Sequence, residues 1–338
     1  RTFPQMSIRR TAILGTGGWG TALSILWAAG DNEIIHWGHT PERVEQIRRT
    51  RQNPDYLPGV CLPSKIRLTS HLADCASADL IVFVTPSVAL RDVAGRLREE
   101  GNPRSAVFMS CTKGIEHGTG LRMSAILEQH FPNRPVAVLS GPNLAVEVAR
   151  GLPSATVLGC RDRRVAEELQ TLLGSARFRV YTSEEVVGIE LGGALKNIFA
   201  IPAGVSDGFG FGDNSKAALV TRSLAELVRL GTAMGGDART FQGLSGVGDL
   251  IATCFSKHSR NRTLGEQLGK GEDLDKVTRG MKTVAEGIPT ARSAYECARG
   301  LGVETPIIDQ VYAVLHEGKS PSQAMQELLG RDQKSERG

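Results

Sequence analysis

The chain has 338 residues, of which 41% are hydrophobic, and this length fits two domains better than one. Its 40 basic and 36 acidic residues leave a net charge of +4, which is too balanced to indicate a nucleic-acid partner. The six cysteines are scattered without a CxxC pair, so we expect reduced thiols, a cytoplasmic location and no metal centre.

In chain order, residues 1–6 lack the apolar core of a signal peptide, and we expect a short disordered lead-in there. No apolar run reaches the ~18 residues of a membrane span, so we expect no stable membrane insertion.

The first half of the chain alternates short apolar runs with helical patterns. The predicted strands are residues 11–14, 33–37, 80–84, 106–109, 136–139, 155–158 and 178–181. Several of these runs are apolar throughout, as in a parallel sheet that is covered on both faces. The pattern therefore predicts an α/β, doubly wound Rossmann-type domain, whose ligands bind beyond the carboxyl ends of the strands.

A glycine-rich segment follows the first predicted strand and opens a helix: Gly15-Thr16-Gly17-Gly18-Trp19-Gly20. Gly15 would allow the turn, Gly17 the approach of a pyrophosphate, and Gly20 close helix–strand packing. The helix N-terminus would then bind the phosphates. The alternative is an ordinary glycine-rich turn.

The residues after the second strand bear on the choice between NAD and NADP. NAD sites usually place Asp or Glu there to bind the ribose 2′-hydroxyl. This chain has Gly38-His39-Thr40 instead, and His39 and Arg43 are able to face a 2′-phosphate. NADP or NAD is therefore predicted as the cofactor, with NADPH favoured.

Strand patterns disappear after Tyr181, and the second half reads as an all-helical domain. We place the boundary near residues 182–192, which gives domains at 8–188 and 189–331. Thr182 and Glu185 suggest a capping box for the next helix, and Asn214 suggests the cap of a later one. Pro202 should end or kink the first of these helices.

Lys196 lies in that helix among apolar and small residues, directly after Gly192-Gly193-Ala194-Leu195. Burial would lower its pKa toward the range in which it exchanges protons. The two glycines weaken a helix by about 1 kcal/mol each relative to alanine, which is tolerated where another group approaches the backbone closely. The alternative is a surface lysine on a weakened helix.

Two later segments carry further candidates. Asp249 begins a short helix that contains Thr253, and it would be either an active-site carboxylate or only an N-cap. Ser259-Arg260-Asn261-Arg262 opens another helix, where it would either bind a phosphate or form a capped helix start with solvated arginines.

In this order, the segments resemble the bacterial type of the NAD(P)-dependent glycerol-3-phosphate dehydrogenase family. The similarity spans about residues 8 to 331. It is carried by residues 15–22, 111–114, 140–142, 192–197, 246–250 and 259–261.

The resemblance implies that Lys196 is the general acid/base. It implies a substrate site formed by Lys113, Gly141, Asn197, Asp249, Thr253, Ser259, Arg260 and Asn261. The cofactor positions that it implies are Gly15, Gly17, Gly18, Trp19, Gly20, His39, Lys113, Gly141, Asn143, Ala145, Arg260, Val284 and Glu286. Asn143 stands where related chains often have Ser or Thr, which leaves its side-chain contact open.

The family interconverts dihydroxyacetone phosphate and sn-glycerol 3-phosphate, so the resemblance implies a small-molecule substrate. It also implies a homodimer and a role in supplying the glycerophosphate backbone of membrane lipids. Two alternatives remain at this point. One is a two-domain hydroxy-acid dehydrogenase of the ketopantoate or 3-hydroxy-acid type, and the other is a non-catalytic dinucleotide sensor.

Overall fold

The computed structural model describes residues 8–103, 106–281, 284–332 and 335, so the lead-in expected at residues 1–6 lies outside the described residues. The strands are β1 (Arg10–Leu14), β2 (Glu33–Trp37), β3 (Gln52–Asn53), β4 (Leu57–Cys61), β5 (Arg67–Thr69), β6 (Leu80–Phe83), β7 (Val107–Ser110), β8 (Val136–Ser140), β9 (Ser154–Cys160) and β10 (Phe178–Ser183).

Within these ranges, eight strands form one sheet in the order β10-β9-β8-β7-β6-β1-β2-β5. Neighbouring strands are parallel except β8 and β9, which are antiparallel. The remaining two strands, β3 and β4, form a separate antiparallel hairpin. The sequence predicted the parallel sheet, but it predicted neither this hairpin nor the short edge strand β5.

Helices cover both faces of the sheet, which confirms the doubly wound fold. They are α1 (Gly18–Trp27), α2 (Pro41–Thr50), α3 (Leu90–Glu100), α4 (Met123–His130), α5 (Ala145–Ala149) and α6 (Arg163–Leu173). Successive strand residues point to opposite faces. Ile13 accordingly belongs to the same core cluster as Leu23 of α1, and Leu14 belongs to the same core cluster as Leu90 of α3.

The second half of the chain is helical, as predicted. Its helices are α7 (Val186–Gly208), α8 (Asp213–Ala233), α9 (Asp249–Phe255), α10 (Arg260–Gly269), α11 (Leu274–Gly280), α12 (Gly287–Leu301), α13 (Pro306–His316) and α14 (Pro321–Leu329). Among the described helices, α7 alone is long and apolar enough to cross a membrane, but 89% of its apolar stretch is buried inside the protein. It is the core helix of this half.

The starts of two helices differ from the prediction. Thr182 lies in β10, and Glu185 itself is the N-cap of α7, where its carboxylate accepts a hydrogen bond from the Gly188 N–H. The capping box was therefore wrong. The next helix, α8, begins at Asp213 with Gly212 as its cap, so Asn214 lies inside the first turn.

Pro202 does not end α7, which continues to Gly208. A proline inside a helix removes one backbone hydrogen bond. Here the surrounding packing compensates, because α7 is buried at every residue from Leu191 to Ser206. The expectation that Pro202 ends the helix was therefore wrong.

The helices α7 and α10 cross with their backbones in contact. A Cβ atom on Gly204 would lie 1.9 Å from the Arg262 carbonyl oxygen, and one on Gly265 would lie 1.9 Å from that of Ile201. Only glycine fits at both positions. This close crossing brings the N-terminus of α10 to the part of α7 that carries Lys196.

Candidate active site

Lys196 lies at the centre of a buried polar cluster at the carboxyl ends of the strands. Its Nζ donates hydrogen bonds to Asp249 Oδ1 (2.8 Å) and Thr253 Oγ1 (2.5 Å). The second carboxylate oxygen of Asp249 accepts a bond from Lys113 Nζ at 2.5 Å, and Lys113 also donates to the Gly141 carbonyl oxygen at 3.2 Å. Five predicted site residues therefore form one hydrogen-bonded cluster, with the Asp249 carboxylate joining the two lysines.

Both glycines before Lys196 are in close contact with neighbouring groups, as the sequence suggested. A Cβ atom on Gly192 would lie 2.5 Å from the Ser245 carbonyl oxygen, and one on Gly193 would lie 2.4 Å from Ser140 Oγ. The first contact seats α7 on the turn before Asp249. The second seats it on the end of β8, beside Lys113. The surface-lysine alternative is excluded, because Lys196 is only 7% exposed.

The turn before Asp249 is a π-helix, Leu244–Gly248, that runs directly into α9. Such segments are rare and are often found at functional sites. Gly248 is the N-cap position of α9, and the Asp249 carboxylate binds the two lysines. The interpretation of Asp249 as only an N-cap was therefore wrong.

Burial lowers the pKa of Lys196 to about 8, against the raising effect of the Asp249 charge, while the Lys113 charge lowers it further. At neutral pH, Lys196 is therefore mostly protonated, but it loses its proton far more readily than an exposed lysine does. Two ammonium groups and one carboxylate give the cluster a net charge of +1, which favours an anionic ligand.

A second polar group adjoins this cluster where α10 begins. Asn261 Nδ2 donates to Asn197 Oδ1 at 3.0 Å, and its Oδ1 accepts the Gly287 N–H at 2.9 Å. The Ser259 hydroxyl is the N-cap of α10, since it accepts the Arg262 N–H at 3.2 Å. The predicted cap is thus correct, but the expectation of solvated arginines is wrong for Arg262, whose side chain is 12% exposed and pairs with Asp207 and Glu266. The Ser259 hydroxyl proton is still available for donation.

Two predicted cofactor positions lie in the segment between α11 and α12. The exposed side chain of Arg260 donates to the Val284 carbonyl oxygen at 3.0 Å. The Glu286 carboxylate accepts bonds from the Ser87 hydroxyl (2.6 Å) and the Ser87 N–H (3.2 Å) at the end of β6. Sequence reasoning missed Ser87, and no local signal marked it.

The glycine segment forms a tight turn between β1 and α1. Gly15 has φ +128°, and a Cβ atom there would lie 2.6 Å from the Val84 carbonyl oxygen. A Cβ atom on Gly20 would lie 2.0 Å from the Gly15 carbonyl oxygen. At Gly17, by contrast, an added Cβ would meet no atom within 4 Å, so the turn is open to a ligand there.

Two residues that the sequence analysis missed hold this turn in place. His36 Nε2 donates to the Gly15 carbonyl oxygen at 3.0 Å, and burial lowers the pKa of His36 to about 4. Asn53 of the hairpin donates to the Thr16 carbonyl oxygen at 2.8 Å. A polar residue inside an apolar strand was the available signal for His36.

The remaining predicted positions lie around the same turn. Trp19 is half-buried and packs against the core cluster that includes Leu23 of α1. The Ala145 Cβ lies 3.7 Å from the position that a Cβ atom on Gly18 would occupy. Asn143 Nδ2 is bound to the Ala155 carbonyl oxygen at 2.9 Å. His39 is exposed, and its Nε2 lies 3.1 Å from Thr40 Oγ1.

Comparison with known proteins gives one consistent result. The family models described as NAD-dependent glycerol-3-phosphate dehydrogenase N-terminus and C-terminus match residues 10–166 and 185–326. The chain is 46% identical to a glycerol-3-phosphate dehydrogenase [NAD(P)+] of Thermobifida fusca, over 97% of this chain and 98% of that one. A relative of the same description from Salinibacter ruber is 44% identical over 96% of both chains.

A solved structure shows the same relationship. The crystal structure of glycerol-3-phosphate dehydrogenase from Coxiella burnetii superimposes with a TM-score of 0.92 at 35% identity, covering 96% of this chain and 99% of that one. The chain therefore belongs to the NAD-dependent glycerol-3-phosphate dehydrogenase family.

Proposed function

We propose that the chain catalyses the reversible reduction of dihydroxyacetone phosphate by NAD(P)H to sn-glycerol 3-phosphate. Membership of the family makes it an NAD(P)-dependent oxidoreductase. The observation that carries the mechanism is the buried Lys196, which shares the Asp249 carboxylate with Lys113. This cluster offers both a proton donor and positive charge at a single point.

The glycine turn fits a dinucleotide. The N-cap of α1 is Gly17, so no side chain occupies the N–H groups at the start of this helix. The first turn of α1 also has no acidic residue. The backbone N–H groups and the positive end of the helix dipole are therefore suited to bind phosphate oxygens. We assign Gly15, Gly17, Gly18, Trp19 and Gly20 to the cofactor on this basis.

When bound, the reduced nicotinamide supplies the hydride that reaches C2 of the ketone. Negative charge then develops on the C2 oxygen, and Lys196 donates its proton there. Lys113 stabilises the same charge electrostatically, and Asp249 orients both ammonium groups. In the reverse direction, the neutral amine of Lys196 accepts the proton of the alcohol.

We assign the substrate phosphate to the start of α10. Arg260 supplies guanidinium donors, while Asn261 and the Ser259 hydroxyl lie in the same first turn. Asn197 and Thr253 flank the reacting end, since they are bonded to Asn261 and Lys196 respectively. Gly141 contributes its backbone beside Lys113.

NADPH is the favoured cofactor in this proposal. Arg43 lies in the first turn of α2, shortly after β2, and its side chain is fixed by Tyr56. Its guanidinium donates to the Tyr56 hydroxyl at 2.7 Å and lies 4.8 Å from the centre of the Tyr56 ring. With His39, it would neutralise a 2′-phosphate. We assign Asn143, Ala145, Val284, Glu286 and Arg260 to the rest of the cofactor. For Asn143, we expect the cofactor to contact the backbone, because the side-chain Nδ2 already donates to the Ala155 carbonyl oxygen.

The remaining expectations are part of the same proposal. We place the domain boundary between residues 188 and 189, which lies in the first turn of α7. We also propose a cytoplasmic homodimer whose product enters glycerophospholipid synthesis. The boundary rests on the loss of strand patterns after Tyr181, and the cytoplasmic location rests on the scattered cysteines. The homodimer and the metabolic role rest on the family resemblance.

A substrate panel tests the activity. Purified protein is mixed with NADPH and with dihydroxyacetone phosphate, ketopantoate or a 3-oxo acid, and NADPH absorbance is followed. We expect rapid oxidation with the phosphorylated ketone alone. Preference for an unphosphorylated acid would favour the hydroxy-acid alternative, and cofactor binding without turnover would favour the sensor. The family relatives over nearly the whole chain favour the first outcome.

A further inference from the structure

A second group of charged side chains, each partly or fully buried, lies where α7 ends, about three helical turns beyond Lys196. Asp207, in the last turn of α7, accepts bonds from Lys216 Nζ at 2.7 and 2.9 Å and pairs with Arg262 at 2.6 Å. Arg262 also pairs with Glu266 at 3.3 Å. The side chains of Lys216 and Arg262 are 8% and 12% exposed. We call these four residues the rear ion cluster.

The rear ion cluster joins the helices that carry the reacting groups. Asp207 lies on the same helix as Lys196, and Arg262 lies two residues beyond Arg260 on α10. The Lys216 ammonium lies 4.8 Å from the centre of the Phe255 ring, at the end of α9, which carries Asp249. Lys216 of α8 thus contacts α7 and α9 directly, and it is linked to α10 through Asp207 and Arg262.

The crossing of α7 and α10 combines close backbone contact at Gly204 and Gly265 with buried apolar side chains of both helices. Apolar packing is not directional, so hydrogen bonds and ion pairs between the two helices add a directional constraint on their alignment. One polar contact, Asn197–Asn261, lies on the active-site side of the crossing. Asp207 lies ten residues after Asn197, a rise of about 15 Å along a helix. Its bonds to Arg262 and Lys216 therefore join the last turn of α7 to the start of α10 and to α8.

We propose that Lys216 is a positioning residue: through Asp207 and Arg262 it fixes the crossing of α7 and α10, and so aligns Lys196 with the substrate groups at the start of α10. This inference rests on the proposed function, because alignment matters only if Lys196 and α10 act on one substrate. Lys216 itself is bonded to Asp207 and not to the Lys196 cluster, so it acts through its neighbours.

The expected effect follows from how sensitive catalysis is to alignment. A misplacement of about 1 Å at a reacting group costs about 100-fold in rate. We therefore expect K216M, which keeps the length but removes the charge, to lower kcat about 10- to 100-fold. The KM for dihydroxyacetone phosphate should rise, while NADPH should still bind with at most a small loss of affinity. The glycine turn lies in the other domain, and of the assigned cofactor positions only Arg260, Val284 and Glu286 lie in the helical domain.

The test combines K216M with K216R, D207N and the double variant D207N/K216M. K216R keeps a cation within reach of Asp207 and should restore most of the lost kcat. D207N and K216M should be strongly non-additive in kcat, because they remove one interaction. NADPH titration counts the folded sites, so a loss of folded protein is separated from a loss of rate. If K216M does not fold, kcat of D207N, which should be low, is compared with kcat of K216R, which should be near that of the wild type.

The matched control is E226Q on the same helix. Glu226 is 2% exposed and accepts the N–H groups of Ile307 and Ile308, away from the three helices at the site. E226Q should lower the melting temperature without changing kcat. The inference is overturned if folded K216M keeps the wild-type kcat and KM, or if D207N and K216M are additive. Wild-type protein without activity on the ketone would instead refute the proposed function.

Discussion

Replacing Asp249 by Asn should shift the pH dependence of the reaction to lower pH, because the Asp249 carboxylate stabilises the protonated form of Lys196. Its Oδ1 lies 2.8 Å from Lys196 Nζ, and its charge raises a pKa that burial has lowered to about 8. Two unit charges about 4 Å apart interact by about 4 kcal/mol at an effective dielectric constant of ~20. At about 1.4 kcal/mol per pKa unit, this energy corresponds to a shift of about 3 units.

A shift of about 2 units would already reverse the protonation of Lys196 at neutral pH. The protonated fraction at pH 7 would fall from about nine-tenths to about one-tenth. Because reduction of the ketone needs the ammonium form, kcat/KM for reduction at pH 7 should fall at least about tenfold. In the wild type, this parameter should decline only above pH ~8, and kcat/KM for oxidation should rise toward the same pH.

The assay is the pH dependence of kcat/KM in both directions, for wild type and D249N, because this parameter reports the pKa values of the free enzyme. In D249N, the decline of the reduction rate should move to a pH below 7, and NADPH binding should be unchanged. A D249N profile that declines at the wild-type pH would refute the account of how Lys196 holds its proton.

Further predictions concern the cofactor. G17A should keep the wild-type melting temperature but weaken NADPH binding in a fluorescence titration, since an added Cβ there enters the open space above the turn. G20A, the matched variant, should lower the melting temperature because its Cβ would lie 2.0 Å from the Gly15 carbonyl oxygen; equal effects of the two variants on stability would contradict this reading. R43M should lower the ratio of kcat/KM with NADPH to that with NADH about tenfold, as expected when one phosphate contact of about 1.4 kcal/mol is lost. An unchanged ratio would remove Arg43 from the 2′-phosphate site.

Sequence reasoning was most successful where a local pattern determines structure. The run Leu80–Phe83 is apolar at every position, and it is a central strand buried on both faces. The glycine turn was predicted from its spacing, and the requirement for close contact at Gly192 and Gly193 from the residue type alone. In each case the chemistry of a few neighbouring residues determined the result.

Features that depend on distant contacts could not be predicted. The hairpin of β3 and β4 has no strict apolar alternation, and it is held against the glycine turn by Asn53. Pro202 remains inside α7 because packing on all sides outweighs the lost hydrogen bond. Asp249 binds two lysines that lie 53 and 136 residues away in the chain, so no local spacing indicates the bridge.

Comparison of wild type with K196M tests the central claim most directly. K196M preserves the length and apolar stem of the side chain but cannot donate a proton. The measurement is NADPH oxidation by dihydroxyacetone phosphate, with NADPH binding titrated on the same samples. The account predicts normal cofactor binding and a loss of kcat of at least about 100-fold, the lower range for a general acid. K196M that binds NADPH and turns over at the wild-type rate would contradict it.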